Sequence, residues 1–177
     1  GHDPRDPAQA DGAPVRYREQ LASGIRGRKV GVIRHFFETD LPVATEVGAA
    51  MADSARELEK LGAILTDVRL PPLQDWTACG LLIMISEAYA VHEPWFKTRF
   101  NDYGELFRDR CGLGAFISAA DYMAAVRMRR ELRRALAAAF QTHDLLILPT
   151  TPTPAAMLFS VAYRRCPSGE NAPWPKK

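Results

Sequence analysis

The sequence predicts an α/β fold in which a parallel βαβ unit lies under covering helices, and three observations predict it. Lys29-Val30-Gly31-Val32-Ile33 is short, β-branched and apolar on both faces, as a strand buried inside a parallel sheet must be. A segment with apolar residues at steps of three and four follows it and stops at Gly62. A second strand-like run, Ala63 to Leu70, then closes on Pro71-Pro72. A strand, a helix and a strand joined by short links return the second strand beside the first in the same direction, so the pair is parallel.

The elements follow in order. Residues 1–24 are rich in Asp, Pro, Gly and Ala without a sustained period, which reads as a linker arm. Asp40-Leu41-Pro42 has the form of a helix start, because proline's missing N–H is not needed in a first turn. Val43, Val47, Ala50, Ser54, Leu58 and Leu61 form the expected inward stripe. Gly62 ends that helix in the left-handed conformation that glycine takes without a Cβ clash. Trp76 to Trp95 is apolar enough to be a largely buried helix, interrupted by Glu87 and His92.

Ser118-Ala119-Ala120-Asp121 has capping-box spacing. The helix that it opens runs to about Phe140, with Tyr122, Val126, Leu132, Leu136 and Phe140 as its inner side. Leu145 to Leu148, before Pro149, is the remaining strand candidate. These strands, near 29–33, 63–70 and 145–148, place the domain at 25–156 and leave 157–177 as a tail without period. Parallel strand edges require neighbours, and the sequence offers few.

Composition narrows the function. An apolar share of 47 % and a charged share of 25 % are ordinary globular values. A formal net charge of +2 supplies no electrostatic ground for a nucleic-acid or membrane partner. The first residues carry neither a basic region nor an apolar run of the signal-peptide kind, and the missing initial Met points to a piece of a longer protein. Cys79, Cys111 and Cys166 are odd in number and widely spaced, which argues for free thiols in a cytoplasmic, reducing setting. No Cys-x-x-Cys pair and no His at ligand spacing indicates a metal, and no motif calls for a cofactor.

Several residues invite a chemical reading. Arg127, Arg129, Arg130, Arg133 and Arg134 lie opposite the apolar stripe with Glu131 among them and no interleaved aromatics, the pattern of a solvated helix face. His2, Asp3 and Asp6 fall in the proline-rich arm, where a metal geometry is hard to hold. His143-Asp144 suits a helix end, and His35 follows the first strand without a catalytic partner in view. Nucleophilic catalysis needs Ser or Cys beside a base, with amides for the oxyanion. None of Ser23, Ser54, Ser86, Ser118, Ser160 and Ser168 sits in a Gly-Ser-rich turn, and no Ser-Lys pair stands out. The spacing alone gives an α/β domain and no active site.

An ordered set of segments nevertheless resembles the amidase signature family, in the region downstream of its catalytic core. The set comprises Gly1-His2-Asp3-Pro4-Arg5-Asp6-Pro7, Gly27 to Ile33, Leu58 to Ala63 with Val68 to Pro71, Ser86-Glu87-Ala88-Tyr89 and Tyr103-Gly104. Arg110 with Gly114, Ile117 to Tyr122 with Arg127 and Arg130, and His143 to Ala155 complete it. The resemblance implies hydrolysis of carboxamides to acid and ammonia, or ammonia delivery in the branch that holds the A subunit of glutamyl-tRNA amidotransferase. It implies a Ser-Ser-Lys set that precedes Gly1, so that no catalytic residue is carried over. This chain would then complete part of a large mixed sheet and wall the substrate pocket, and would be inactive alone.

Arg110 matches an arginine that lies near the substrate carboxylate in the amidotransferase branch, with a structural ion pair as the alternative. Gly80-Leu81 stands where that branch places aromatics, which favours a general amidase over a glutamine-using one. The tail from Met157 departs from the family's strands. The implied partners are a small-molecule amide and the N-terminal catalytic core, and the pattern is compatible with a homo-oligomer. The rival readings are a stand-alone α/β binding or regulatory module, and a scaffold for a separate catalytic chain.

Overall fold

The computed structural model describes residues 16–155 together with Asp3, Arg5 and Asp6. His2, Ser160, Cys166, Ser168, the tail from Met157 and most of the linker arm lie outside the described residues. A single turn, α1 (Tyr17–Gln20), precedes the first strand.

β1 (Lys29–Val32), β2 (Ile64–Asp67) and β3 (Leu145–Ile147) form one parallel sheet in the order β2-β1-β3. Lys29 to Val32 of β1 register with Ile64 to Asp67, and Val30 to Val32 register with Leu145 to Ile147. The parallel pair and the third strand stand where the sequence places them. The strands are shorter than expected, at four, four and three residues. Val68 still gives its N–H to Val32 O at 2.9 Å, after which Val68 and Leu70 turn into the core.

The middle strand sets the layers. Val30 and Val32 are 0 % and 1 % exposed, and Val32 shares a cavity with Gly48, Met51, Ala52 and Ala55 of the crossover helix α2 (Thr45–Lys60). Gly31 faces the other way. A Cβ on it would lie 2.5 Å from Val68 Cγ2 and 2.6 Å from Leu146 Cδ2, so glycine lets both flanking strands close over β1. On that side Ile33, Phe36, Val68 and Leu70 pack with Trp76, Leu136 and Ala139.

The crossover helix ends as expected and begins differently. Gly62 takes φ +91°, Ala63 N–H donates to Leu58 O at 3.0 Å and Gly62 N–H to Glu59 O at 2.9 Å, which is a Schellman ending. The helix starts at Thr45 rather than at Asp40, because Phe36–Asp40 form a π-helical turn after β1. Asp40 instead caps a different helix. Its carboxylate accepts the N–H of Leu73 at 2.8 Å, at the start of α3 (Leu73–Arg99), where a negative charge meets the positive end of the helix dipole. The inner stripe of α2 is Val47, Met51, Ala55 and Leu58, while Ala50, Ser54 and Leu61 face water. Both stripes satisfy helical spacing, and Met51 brings more apolar surface inward than Ala50.

α3 and α5 (Ala119–Phe140) pack along one another through Cys79, Ile83, Ala125 and Leu132. The capping box is present: Ser118 Oγ accepts the Asp121 N–H at 3.1 Å, and the Asp121 carboxylate accepts the Ser118 N–H at 3.2 Å. Two expectations fail here. Phe140 is exposed, with Ala125 and Leu132 as the buried residues of α5. α3 is not largely buried either, because Leu81, Met84, Val91 and Trp95 spread apolar surface around a helix that α5 covers on one side only.

α4 (Glu105–Gly112) and a 3-10 turn at Leu113–Phe116 bring Gly114 against α3. A Cβ there would lie 2.3 Å from Tyr89 Cβ and 2.8 Å from the Ile85 carbonyl oxygen, and neither can move freely. Gly114→Ala is expected to destabilise the protein by about 1–3 kcal/mol. In thermal melts that is a fall of about 2–4 °C per kcal/mol for a chain of this size. An unchanged melting temperature would mean that α3 can retreat from the 3-10 turn without loss.

Two carboxylates make folding acid-sensitive. The Lys29 N–H at 2.8 Å, then the Arg28 guanidinium at 3.1 Å, hold the Asp144 carboxyl below its ordinary value. The Ser118 hydroxyl and then its N–H do the same for Asp121. A carboxyl lowered in the folded state contributes stability that is present above the unfolded value, about 4, and is lost as pH falls through the folded one. Melts between pH 6 and pH 3 should show a smaller acid-induced drop in an Asp121→Asn/Asp144→Asn variant than in the wild type. Parallel curves would remove both carboxylates from the acid response.

Candidate functional site

The helix pair carries a concavity. An open groove of about 600 Å³ runs between α3 and α5, in the size range of small-molecule sites. Its apolar lining includes Trp76, Ile83, Met84, Val91 and Leu132, and its polar lining is Glu87, His92, Arg129 and Arg133. The lining residues of α3 recur at helical steps, from Trp76 through Gly80, Ile83 and Glu87 to Val91. Gly80 widens the groove, since a Cβ there would meet nothing within 4 Å.

Glu87 and His92 are held in place. Tyr122 donates its hydroxyl to Glu87 Oε1 at 3.0 Å, and that hydrogen bond pushes the phenol above its ordinary value. His92 Nδ1 lies 3.0 Å from the Tyr103 hydroxyl, and its ring packs edge-on to Tyr103 and Phe107 at 5.6 and 5.1 Å. Cys79 gives its thiol hydrogen to Ala125 O at 3.3 Å, which fixes a buried sulfur at the helix crossing. Cys111 is also free and buried, and loss of solvent pushes its thiol up. Neither has the electropositive, accessible setting of a reactive thiolate.

Arg110 sits elsewhere. It is exposed in the last turn of α4, a favourable end for a cation, and does not line the groove. Among the described residues its side chain makes no ion pair or hydrogen bond. Leu106 and Leu113, at four and three residues' distance along the chain, are 67 % and 55 % exposed.

The remaining candidates have structural uses. His35 Nε2 lies 3.1 Å from Leu70 O. His143 Nδ1 lies 2.9 Å from Ala139 O just past the end of α5, and its Nε2 lies 2.7 Å from the Thr66 hydroxyl. Ser54 and Ser86 give their hydroxyls to Ala50 O and Leu82 O, and Ser118 caps α5. All five arginines of α5 are exposed, with Glu131 bonded to Arg134 at 2.9 Å. Among the described residues no group of three His, Cys, Asp or Glu could hold a metal ion. No helix among them is long and apolar enough to cross a membrane.

In the sequence His92 reads only as a polar interruption and Glu87 as an interruption within the family-like Ser86 to Tyr89, and neither the groove nor the Glu87–Tyr122 bond is visible there. The signal available was the three-and-four spacing of mixed polar and apolar residues on α3. Its partner stripe on α5 is 35 or more positions away, and periodicity does not show which helix faces which.

Comparison with known proteins gives this α/β layer its class. A family model described as Amidase matches residues 1–168, and the chain belongs to that family. An amidase of Pseudomonas putida is 35 % identical over 88 % of this chain and 33 % of its own length. The A subunit of glutamyl-tRNA(Gln) amidotransferase from Myxococcus xanthus is 32 % identical over 88 % of this chain and 37 % of its own. Among solved structures, a chain of the vestigial protein complex that reveals the origins of an s-triazine catabolic enzyme superposes with a TM-score of 0.79. It is 28 % identical, over 89 % of this chain and 33 % of that one. The A subunit of the Thermotoga maritima amidotransferase superposes with a TM-score of 0.60 at 25 % identity, over 92 % of this chain and 35 % of that one. The chain thus spans about a third of the length of the relatives it matches.

Proposed function

We propose that this chain is part of an amidase that hydrolyses carboxamide C–N bonds to acid and ammonia. It contributes sheet strands and one wall of the substrate pocket, and the nucleophile and its base lie in a separate catalytic core. The observation that carries this reading is the 35 % identity to an amidase across 88 % of the chain but only 33 % of that relative. The hydroxyls of Ser54 and Ser86 support it, since each donates to a carbonyl of its own helix, and Ser118 is occupied as the cap of α5. The apolar surface left open on α3 and around Arg110 supports a wall whose other side is further polypeptide or substrate.

Two measurements test this. The purified chain, given acetamide, benzamide or glutamine, should release no ammonia above background. Release that disappears on a Ser→Ala change within this chain would place the nucleophile here and end the reading.

Arg110 is the residue we assign to substrate binding. An exposed guanidinium without an ion pair among the described residues, flanked by Leu106 and Leu113, suits the carboxylate of an otherwise apolar substrate. In the intact enzyme, Arg110→Ala should raise KM for a carboxylate-bearing amide by about ten- to a hundredfold, since such bonds are worth about 1.5–3 kcal/mol. The melting temperature should scarcely move. A lower melting temperature with an unchanged KM would make Arg110 a structural residue.

A further inference from the structure

Two arginines of α5 differ from their neighbours. Arg130 and Arg134 approach Glu131 at 4.0 and 2.9 Å and Arg127 lies away from the groove, whereas Arg129 and Arg133 both line the groove against α3 and have no ion pair among the described residues. They stand one turn apart, where like charges repel. The groove's single acid, Glu87, already accepts the Tyr122 hydroxyl, and His92 is engaged with Tyr103, so the rim presents two guanidiniums against one carboxylate.

Beneath that rim the lining is apolar: Trp76, Ile83, Met84 and Leu132, with open space beside Gly80. Apolar walls favour an apolar body, and paired guanidinium forks match the two oxygens of a carboxylate. We propose that the α3/α5 groove binds a small molecule with an apolar, aryl-sized body and a carboxylate. The body lies against Trp76 and Ile83 beside Gly80, and the carboxylate lies between Arg129 and Arg133. This goes beyond the hydrolytic reading, since neither Arg110 nor any reaction enters the argument.

The test is a titration of the intact polypeptide with 4-(4-fluorophenyl)butyrate, read by ¹⁹F NMR without turnover. A ligand of this size should bind with a Kd on the order of 1 mM. The matching alcohol and amine, which keep the body and change the charge, should bind at least about tenfold more weakly. Arg129→Gln/Arg133→Gln should weaken the acid by a similar factor; both side chains are exposed, so the fold stays intact. Gly80→Phe should abolish binding of all three probes by filling the groove, with no loss in melting temperature, because its Cβ has open space and glycine is a poor helix residue. Absence of a shift up to 10 mM acid, at roughly ten times the expected Kd, would overturn the proposal, as would equal binding of the three probes or full affinity in the double arginine variant. A groove covered by other parts of the intact polypeptide gives the first of these results. Because binding is read directly, the outcome does not depend on whether the polypeptide hydrolyses amides.

Discussion

Val30 and Val32 lose nearly all contact with water because β1 has a strand on each edge and side chains covered on both faces. Burying a backbone on both sides is possible only when every N–H and C=O finds a partner. The two parallel ladders provide those partners along β1, and the loops finish the task at its start. Asp144 accepts the Lys29 N–H with its carboxylate and returns its own N–H to the Lys29 carbonyl. The rest of the chain is arranged around this requirement. α2 lies over the valines, and the first turns of α3 and the last turns of α5 lie over Gly31 and Ile33. Burial of the two valine side chains alone removes surface worth about 1.5–3 kcal/mol each, a large part of an ordinary domain's net stability.

Much of this was legible in the residues. The β-branched run at Lys29–Ile33, the Schellman glycine at Gly62 and the capping box at Ser118 are local signals, each satisfied by atoms within a few positions. Local signals survive folding because nothing distant competes with them. What misled was of another kind. Asp40 has the composition of a cap, and it is one, but for the helix at Leu73 rather than the helix beside it. The inner face of α2 was displaced by one residue because Ala50 and Met51 both fit a three-and-four rhythm. The burial of α3 was overestimated because an apolar helix need not be covered on all sides by its own chain.

The candidate site was less legible than the fold. The groove needs α3 and α5 side by side, and that juxtaposition is made by Cys79 and Ile83 meeting Ala125 and Leu132. These contacts join residues tens of positions apart, and single-sequence periodicity is silent about them. Arg110 came from resemblance alone. Its setting in the fold, unpaired among the described residues and between exposed leucines, is information that no spacing rule contains.

Trp76 has a consequence of its own. Its ring packs against both hydrophobic clusters, the one on the sheet and the one between α3 and α5, while its indole N–H is tied to the Pro71 carbonyl at 3.0 Å. A side chain shared by two cores prevents either from opening alone without exposing part of the other. Amide hydrogens of β1 and of the middle of α5 should therefore exchange with solvent through the same opening event, as one cooperative unit. The groove wall is then as slow to rearrange as the sheet itself.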